Sequence, residues 1–155
     1  DLAQNITLNW VVPAGGGGLV CGIGSALSHR QPRPLLTAVQ SEASPFLYEI
    51  FHRGSQAGVV ELESLADGLA GPVETGSVTI PMVKHYVDEF VLVSENDIAH
   101  AIAYAWHHYH ERIEGSAAVT LAAILTSQIV DRPAVLVVTG GNIQEQVHTL
   151  LISHY

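Results

Sequence analysis

Val12-Pro13-Ala14-Gly15-Gly16-Gly17-Gly18-Leu19 places four consecutive glycines between a short apolar strand pattern at 8–12 and a helical pattern at 19–29. Such a run needs a physical reason, since glycine loses more conformational entropy on folding than any other residue. A tight turn with close helix–strand packing would need fewer glycines. Backbone N–H groups that close on a phosphate at the start of a helix would use them all, aided by the helix dipole. We therefore predict an anion site at this loop.

Strand and helix patterns alternate along the rest of the chain. Further strands are expected at 35–39, 90–93 and 134–138. Further helices are expected at 45–51, 81–86, after Ser94, at 116–128 and at 143–155. This alternation predicts an α/β fold of three layers, with a parallel sheet flanked by helices on both faces. Ligands bind at the carboxyl ends of the strands in such sheets, and two candidate loops, 13–19 and 139–142, follow strands, so residues far apart in sequence can meet in one crevice.

The longest helix pattern follows the third strand. Ser94 should cap it, and Asp97 should complete a capping box. An apolar stripe is expected along it, formed by Ile98, Ile102, Trp106, Tyr109 and Ile113. His107, His110 and Glu111 share another face in this pattern, which raises the question of a metal site. We expect these three side chains to be exposed, and we predict no metal site.

The composition of the chain argues against some classes of binding partner. The net charge of −9, with one lysine in the whole chain, argues against nucleic acid or an acidic membrane. No apolar run approaches the ~18 residues of a membrane span. The single cysteine, Cys21, excludes a disulfide framework and favours a reducing compartment, so we expect a cytoplasmic protein. Only 14% of the residues are charged, which leaves apolar surface for a partner.

The common nucleotide-binding patterns fit the glycine loop poorly. The dinucleotide fingerprint needs a further glycine where this chain has Val20 or Cys21. A phosphate-loop nucleoside triphosphatase needs Gly-Lys-Ser or Gly-Lys-Thr at the end of the loop, and no lysine is near. The remaining candidate ligand is a single phosphate monoester.

Four later stretches of the sequence form a set of five motifs together with the glycine loop. They are Ala66-Asp67-Gly68-Leu69-Ala70, Tyr86-Val87-Asp88-Glu89, Glu114-Gly115-Ser116-Ala117-Ala118-Val119 and Val138-Thr139-Gly140-Gly141-Asn142. In this order, the five stretches resemble the motifs of the threonine and serine dehydratases, pyridoxal phosphate (PLP) enzymes of fold type II in the tryptophan synthase beta-like family. The resemblance covers nearly the whole chain. It implies the larger-domain portion of such an enzyme, with PLP as its cofactor.

The resemblance also implies which residues bind the cofactor. They are Gly15, Gly16, Gly17, Gly18, Leu19, Gly68, Glu114 and Thr139. The backbone N–H groups of 15–19 would hold the phosphate. Thr139 stands where the family has a Ser or Thr bonded to the pyridine nitrogen, which leaves that nitrogen largely unprotonated and suits β-elimination. Glu114 would lie near the ring, and Gly68 would offer backbone near the amino group of the bound substrate.

Two parts of such an enzyme have no match in this sequence. The family's Schiff-base lysine precedes the glycine loop, whereas Lys84, the only lysine here, is remote from every motif. The family's substrate-carboxylate loop is also unmatched, so we assign no catalytic residue and cannot fix the substrate. The chain opens with Asp1 and soon enters a strand pattern, which suggests an excerpt. We expect 1–155 to be a single domain, the C-terminal part of a longer enzyme whose lysine-bearing N-terminal part is absent, and to be inactive alone.

Many similar enzymes have a divalent-cation site after the second strand. It uses a Glu in a Val-Glu-Pro run and often an acidic residue a few places on. Here Val39 is followed by Gln40 and Ser41, and Phe46 stands near the later position. Glu42 is the carboxylate that could substitute.

The resemblance implies a PLP-dependent lyase that converts L-threonine or L-serine to a 2-oxo acid and ammonia. A racemase, or another β-replacing or β-eliminating enzyme of the same fold, is one alternative. A non-catalytic phosphate- or PLP-binding module is the other, and an upstream segment without a lysine would favour it. The expected partners are the N-terminal half and further copies of the chain, as a homo-oligomer.

Overall fold

The structure is a computed structural model that describes residues 8–130 and 133–155. Strands and helices alternate along this part of the chain, as predicted. The strands are β1 (Asn9–Pro13), β2 (Leu35–Ser41), β3 (Glu89–Val93) and β4 (Ala134–Leu136). The helices are α1 (Gly18–Leu27), α2 (Phe46–Arg53), α3 (Thr79–Tyr86), α4 (Glu95–Tyr109), α5 (Gly115–Leu125) and α6 (Glu145–His154), with a 3₁₀ turn at Asp67–Leu69.

The four strands form one parallel sheet in the order β3-β2-β1-β4. Successive side chains of a strand point to opposite faces, and here both faces are apolar. Val11 packs in a cluster with α4 and α5, while its neighbour Val12 packs in a second cluster with α1, α2 and α3. The predicted three-layer α/β fold, with helices on both faces of a parallel sheet, is therefore confirmed.

The parallel direction brings the carboxyl ends of the strands to one edge. β1 ends just before the glycine loop, and β3 ends just before Ser94, whose side chain caps α4. The Ser94 hydroxyl accepts the N–H of Asp97 (3.2 Å), and the Asp97 carboxylate accepts the N–H of Ser94 (3.1 Å), so the predicted capping box is confirmed. No helix within the described ranges has both the length and the apolar character needed to cross a membrane.

Two expectations about α4 are wrong. The helix ends at Tyr109, which is 62% exposed, so the apolar stripe stops before the predicted Ile113. Ile113 is buried, but it lies in the segment that follows the helix. His110 ends the helix by adopting a left-handed φ of 56°, and it therefore does not share a helical face with His107 and Glu111. All three of those side chains are exposed, as expected.

β4 is shorter than predicted and ends at Leu136. The N–H of Val137 still donates to the carbonyl of Val11 (2.9 Å). Beyond that bond the chain turns towards the start of α5, where the carbonyl of Gly140 accepts the N–H of Glu114. This turn carries Thr139 past the end of the sheet.

Candidate functional site

The glycine loop connects β1 to α1 at the carboxyl edge of the sheet. The N–H of Ala14 donates to the carbonyl of Val39 (2.9 Å), so the chain enters the loop in register with β2. Gly17 precedes α1 with a φ of 90°, a conformation that favours glycine. In the part of the chain that the structure describes, the N–H groups of 15–20 donate no hydrogen bond. They lie at the positive end of α1, where an anion binds best.

The four glycines of the loop have different surroundings. A Cβ at Gly16 or Gly18 would meet nothing within 4 Å. A Cβ at Gly15 would lie 3.1 Å from Cα of Leu69, and one at Gly17 would lie 3.0 Å from Cβ of Thr79. One side of the loop is therefore packed against the protein, and the other side is open to a ligand.

The Ala66–Ala70 loop contacts both the glycine loop and α5. Its Leu69 backbone lies against Gly15. A Cβ at Gly68 would lie 2.8 Å from Oγ of Ser116. The Ser116 hydroxyl is buried and has no hydrogen-bond partner among the described residues. The carboxyl edge of the sheet therefore contains a buried polar group without a hydrogen-bond partner, beside Gly68.

A second group of residues, the Glu114 corner, consists of 112–116 and 139–142. Its centre is Glu114, whose N–H donates to the carbonyl of Gly140 (3.1 Å). The Oε2 atom of Glu114 accepts the N–H of Asn142 (2.9 Å), and a Cβ at Gly140 would lie 2.6 Å from Oε1. Thr139 directly precedes this contact and is exposed. The structure thus brings Thr139 and Glu114, predicted from distant motifs, into neighbouring positions.

The glycines of the Glu114 corner are packed against backbone. A Cβ at Gly115 would lie 2.0 Å from the carbonyl oxygen of Leu65, and one at Gly141 would lie 2.6 Å from the carbonyl oxygen of Arg112. Real Cβ atoms do not approach other atoms this closely, so these two positions require glycine. The Cβ at Gly115 would also lie 2.9 Å from N of Ala66, so the start of the Ala66–Ala70 loop is in direct contact with the Glu114 corner.

Glu95 is a residue of this edge that the sequence reasoning missed. Its Oε1 atom accepts the hydroxyls of Ser41 (2.6 Å) and Ser64 (2.7 Å), and its Oε2 atom accepts the N–H of Leu65 (2.6 Å). Hydrogen bonds to a carboxylate are among the stronger ones in proteins. Glu95 therefore ties the end of β2 and the segment before the Ala66–Ala70 loop to the start of α4.

An open cleft of about 340 Å³ lies beside the Glu114 corner. It is lined by Ser64, Leu65, Asp67, Glu114, Gly115, Asn142, Ile143, Gln144 and Val147. The carboxylates of Asp67 and Glu114 give the cleft a negative character. Residues 15–18 do not line this cleft.

The residues at the end of β2 and just after it do not fit a divalent-cation site of the expected kind. Gln40 is buried, and its amide oxygen accepts the N–H of Tyr48 (3.1 Å) at the start of α2. Phe46 is buried in the apolar cluster beside α2, and Glu42 points to the exposed surface. Over residues 8–130 and 133–155, no three His, Cys, Asp or Glu side chains form a group that could hold a metal.

Lys84 and Cys21 lie outside the candidate site. Lys84 is exposed on α3, with Nζ 3.9 Å from the place that a Cβ at Gly54 would take, beyond the end of α2. Cys21 is buried in α1, and burial raises the pKa of its thiol. A raised pKa disfavours the reactive thiolate, which agrees with a packing role for Cys21.

Comparison with known proteins gives the same family from sequence and from structure. A family model described as pyridoxal-phosphate dependent enzyme matches residues 1–140. An L-threonine ammonia-lyase from Thermotoga maritima is 37% identical over 134 residues, which are 86% of this chain and 33% of that protein. The chain thus spans about a third of the length of this curated relative.

Solved structures with a similar fold include two at more than 25% identity. A threonine deaminase from T.th. has a TM-score of 0.77 at 26% identity, over 88% of this chain and 50% of that chain. A serine racemase from Dictyostelium discoideum has a TM-score of 0.76 at 29% identity, over 90% of this chain and 45% of that chain. The two neighbours are named for different reactions, so the fold alone does not choose between them.

Proposed function

Because the chain belongs to the pyridoxal-phosphate dependent enzyme family, we propose that it is the part of a threonine or serine dehydratase that binds the phosphate and ring of PLP. The observation that carries the proposal is the glycine loop at the start of α1, whose N–H groups at 15–20 have no partner in the described chain and where a Cβ at Gly16 or Gly18 would meet nothing within 4 Å. The relatives named L-threonine ammonia-lyase and threonine deaminase favour dehydration and deamination as the reaction.

We propose further that 1–155 is a single domain and forms the C-terminal part of a longer enzyme. The chain spans a third of the length of the Thermotoga maritima relative, which leaves room for a lysine-bearing part elsewhere. Lys84, the only lysine of the chain, is exposed beside Gly54 and does not belong to the candidate site. The chain alone should therefore lack turnover, and assembly as a homo-oligomer and a cytoplasmic location remain predictions.

The residues present fit PLP. Gly16 and Gly18 leave space that a side chain would fill, and residues 15–19 offer N–H groups to the phosphate. The buried Ser116 hydroxyl, which has no partner within the described chain, lies beside Gly68 at the same edge of the sheet. PLP, when bound, supplies the electron sink for bond breaking at the α-carbon of an amino acid.

Each residue of the Glu114 corner has a distinct role in this proposal. Glu114 holds the 139–142 segment through the N–H of Asn142, and so orients Thr139. The Thr139 hydroxyl, which is exposed and neutral, would bond to the pyridine nitrogen of the cofactor without protonating it. A neutral ring would favour loss of the β-hydroxyl over reactions that need a stronger electron sink.

The test uses the complete enzyme and its Thr139→Asp and Thr139→Ser variants. The wild type should form 2-oxobutanoate from L-threonine and pyruvate from L-serine, each with ammonia. An Asp in place of Thr139 would protonate the ring, so elimination should fall by about tenfold or more, an effect of about 1.4 kcal/mol on the barrier. Thr139→Ser keeps the hydroxyl and should retain the wild-type rate.

Two results would change the proposal. An elimination rate and absorption spectrum that are the same in Thr139→Asp and the wild type would remove Thr139 from its role. Formation of D-serine faster than pyruvate would favour the racemase alternative, which the Dictyostelium discoideum neighbour supports. A complete protein that binds PLP but converts neither amino acid would favour a binding module.

A further inference from the structure

The start of α3 makes a direct contact with the glycine loop. The hydroxyl of Thr79 donates to the carbonyl of Gly16 (2.7 Å), across 63 positions of sequence. The hydroxyl of Ser77 lies 2.8 Å from that of Thr79. Because the hydrogen of Thr79 is directed to Gly16, the Ser77 hydroxyl is the donor in the second bond. A relay therefore runs from Ser77 through Thr79 to the backbone of the loop.

The bond fixes the direction of one peptide group. In a trans peptide, the C=O of one residue and the N–H of the next point in opposite directions. Since the Gly16 carbonyl points at Thr79, the N–H of Gly17 points away from α3. The packed side of Gly17 faces Thr79, Val83 and Leu47. The N–H of Gly17 is thus turned towards the open side of the loop, where it has no partner within the described chain.

We propose that Thr79 is a positioning residue for phosphate binding, because it turns the Gly16–Gly17 peptide so that its N–H faces the anion. This inference rests on the proposed function of the loop. Without the hydroxyl, the Gly16–Gly17 peptide can rotate. The partial negative charge of the Gly16 carbonyl oxygen would then face the negative phosphate and repel it. Glycine offers no side chain to restrain that rotation, so the restraint comes from Thr79.

The experiment compares three variants of the 155-residue chain, with inorganic phosphate as the probe. Thr79→Val removes the hydroxyl but keeps the shape that packs on Gly17. Thr79→Ser keeps the hydroxyl. Thr126→Val is the matched control, since the Thr126 hydroxyl also donates to a backbone carbonyl, that of Ala122 (2.8 Å), at the end of α5. Phosphate affinity is read from the amide signals of residues 15–19 in NMR titrations, and stability is read from thermal unfolding.

Loss of one neutral hydrogen bond corresponds to a change of about fivefold in an equilibrium constant. Thr79→Val should therefore weaken phosphate binding about fivefold and shift the Gly17 amide signal in the free protein. Thr79→Ser should bind within about twofold of the wild type, because one hydrogen bond is retained. Thr126→Val should match the wild type in affinity, although its melting temperature can fall as much as that of Thr79→Val.

The outcomes separate the inference from the function on which it rests. If the wild type binds phosphate at the loop and Thr79→Val binds it equally well, the positioning role is wrong while the phosphate site stands. If Thr79→Val and Thr126→Val lose affinity alike, the effect is general loss of stability and the inference is also wrong. If the wild type shows no phosphate shift at residues 15–19, the proposed phosphate site itself is wrong, and the inference is overturned with it.

Discussion

The glycine loop and the Glu114 corner lie at the same edge of the sheet, and both depend on glycine, but for opposite reasons. At Gly16 and Gly18 an added Cβ would meet nothing within 4 Å. At Gly115 and Gly141 it would collide with backbone oxygens, at 2.0 Å and 2.6 Å. At these two positions of the loop, glycine leaves open space. The corner uses glycine to bring two parts of the chain together.

The two regions also differ in how many of their backbone N–H groups are paired within the chain. The N–H groups of 15–20 have no partner within the described chain. At the corner, by contrast, Glu114 binds the N–H of Asn142 and donates its own N–H to Gly140. Unpaired N–H groups are costly unless a ligand or water binds them. The loop therefore leaves its N–H groups available for hydrogen bonds outside the described chain, whereas the corner is held by its own contacts.

Substitution of Gly115 should have the largest effect and tests the packed region. In Gly115→Ala the new methyl would overlap the carbonyl of Leu65, so the 64–66 segment must move. We expect the free energy of unfolding to fall by about 1–3 kcal/mol, the usual range for overpacking. Equilibrium unfolding in urea would measure this loss.

Gly22→Ala is the matched control for that experiment. Gly22 lies inside α1, and its added Cβ would meet nothing within 4 Å. Alanine is favoured over glycine in a helix, so this variant should be more stable by about 0.5–1 kcal/mol. An equal stability of Gly115→Ala and the wild type would show that the corner is less closely packed than the structure has it.

Substitution of Gly16 should separate binding from stability. Gly16→Ala places a methyl in open space, so the free energy of unfolding should stay within about 0.5 kcal/mol of the wild type, as is usual for a surface change. The methyl would occupy space needed by an anion, and phosphate affinity should fall about tenfold, or about 1.4 kcal/mol. Isothermal titration with phosphate and thermal unfolding measure the two effects. Undiminished phosphate affinity would mean that the open side of Gly16 is not the binding side.

The open region was easier to predict from sequence than the packed one. Four glycines between a strand and a helix are a local signal, as are the alternating patterns that predicted the parallel sheet. The capping box at Ser94 and Asp97 is also local, because it involves residues three apart. The resemblance to dehydratases supplied Glu114 and Thr139, and the structure brings them together, while their roles remain proposals.

The features missed from sequence depend on distant contacts. Glu95 binds Ser41 and Ser64, which are 54 and 31 positions away, and no local pattern records that pairing. The end of α4 was predicted too late because the apolar spacing continues to Ile113, whereas the left-handed His110 stops the helix first. A residue in that conformation is not predictable from apolar periodicity, which reports the buried face and not the end of the helix.

The smallest effect concerns pH and involves α6, the helix that follows the Glu114 corner in the sequence. His148 on α6 is buried, its Nε2 atom has no partner among the described residues, and its ring forms a T-shaped pair with Trp106, with ring centroids 5.2 Å apart. Burial lowers the pKa of His148, the charge of Arg112 lowers it further, and Glu145 raises it. The net result is a folded pKa below the ordinary 6.5, so the unfolded chain takes up a proton first as the pH falls.

The contribution of neutral His148 to the free energy of unfolding is therefore fully present above about pH 6.5. It is lost as the pH falls towards the folded pKa. One proton limits the slope to about 1.4 kcal/mol per pH unit. Hydrogen exchange between pH 7 and pH 5 should show α6 and the Glu114 corner opening more readily, with α1 unchanged. His148→Leu should remove this part of the dependence, whereas His154→Leu, at an exposed position of the same helix, should keep it. Equal pH dependence in His148→Leu and the wild type would exclude His148 as its source.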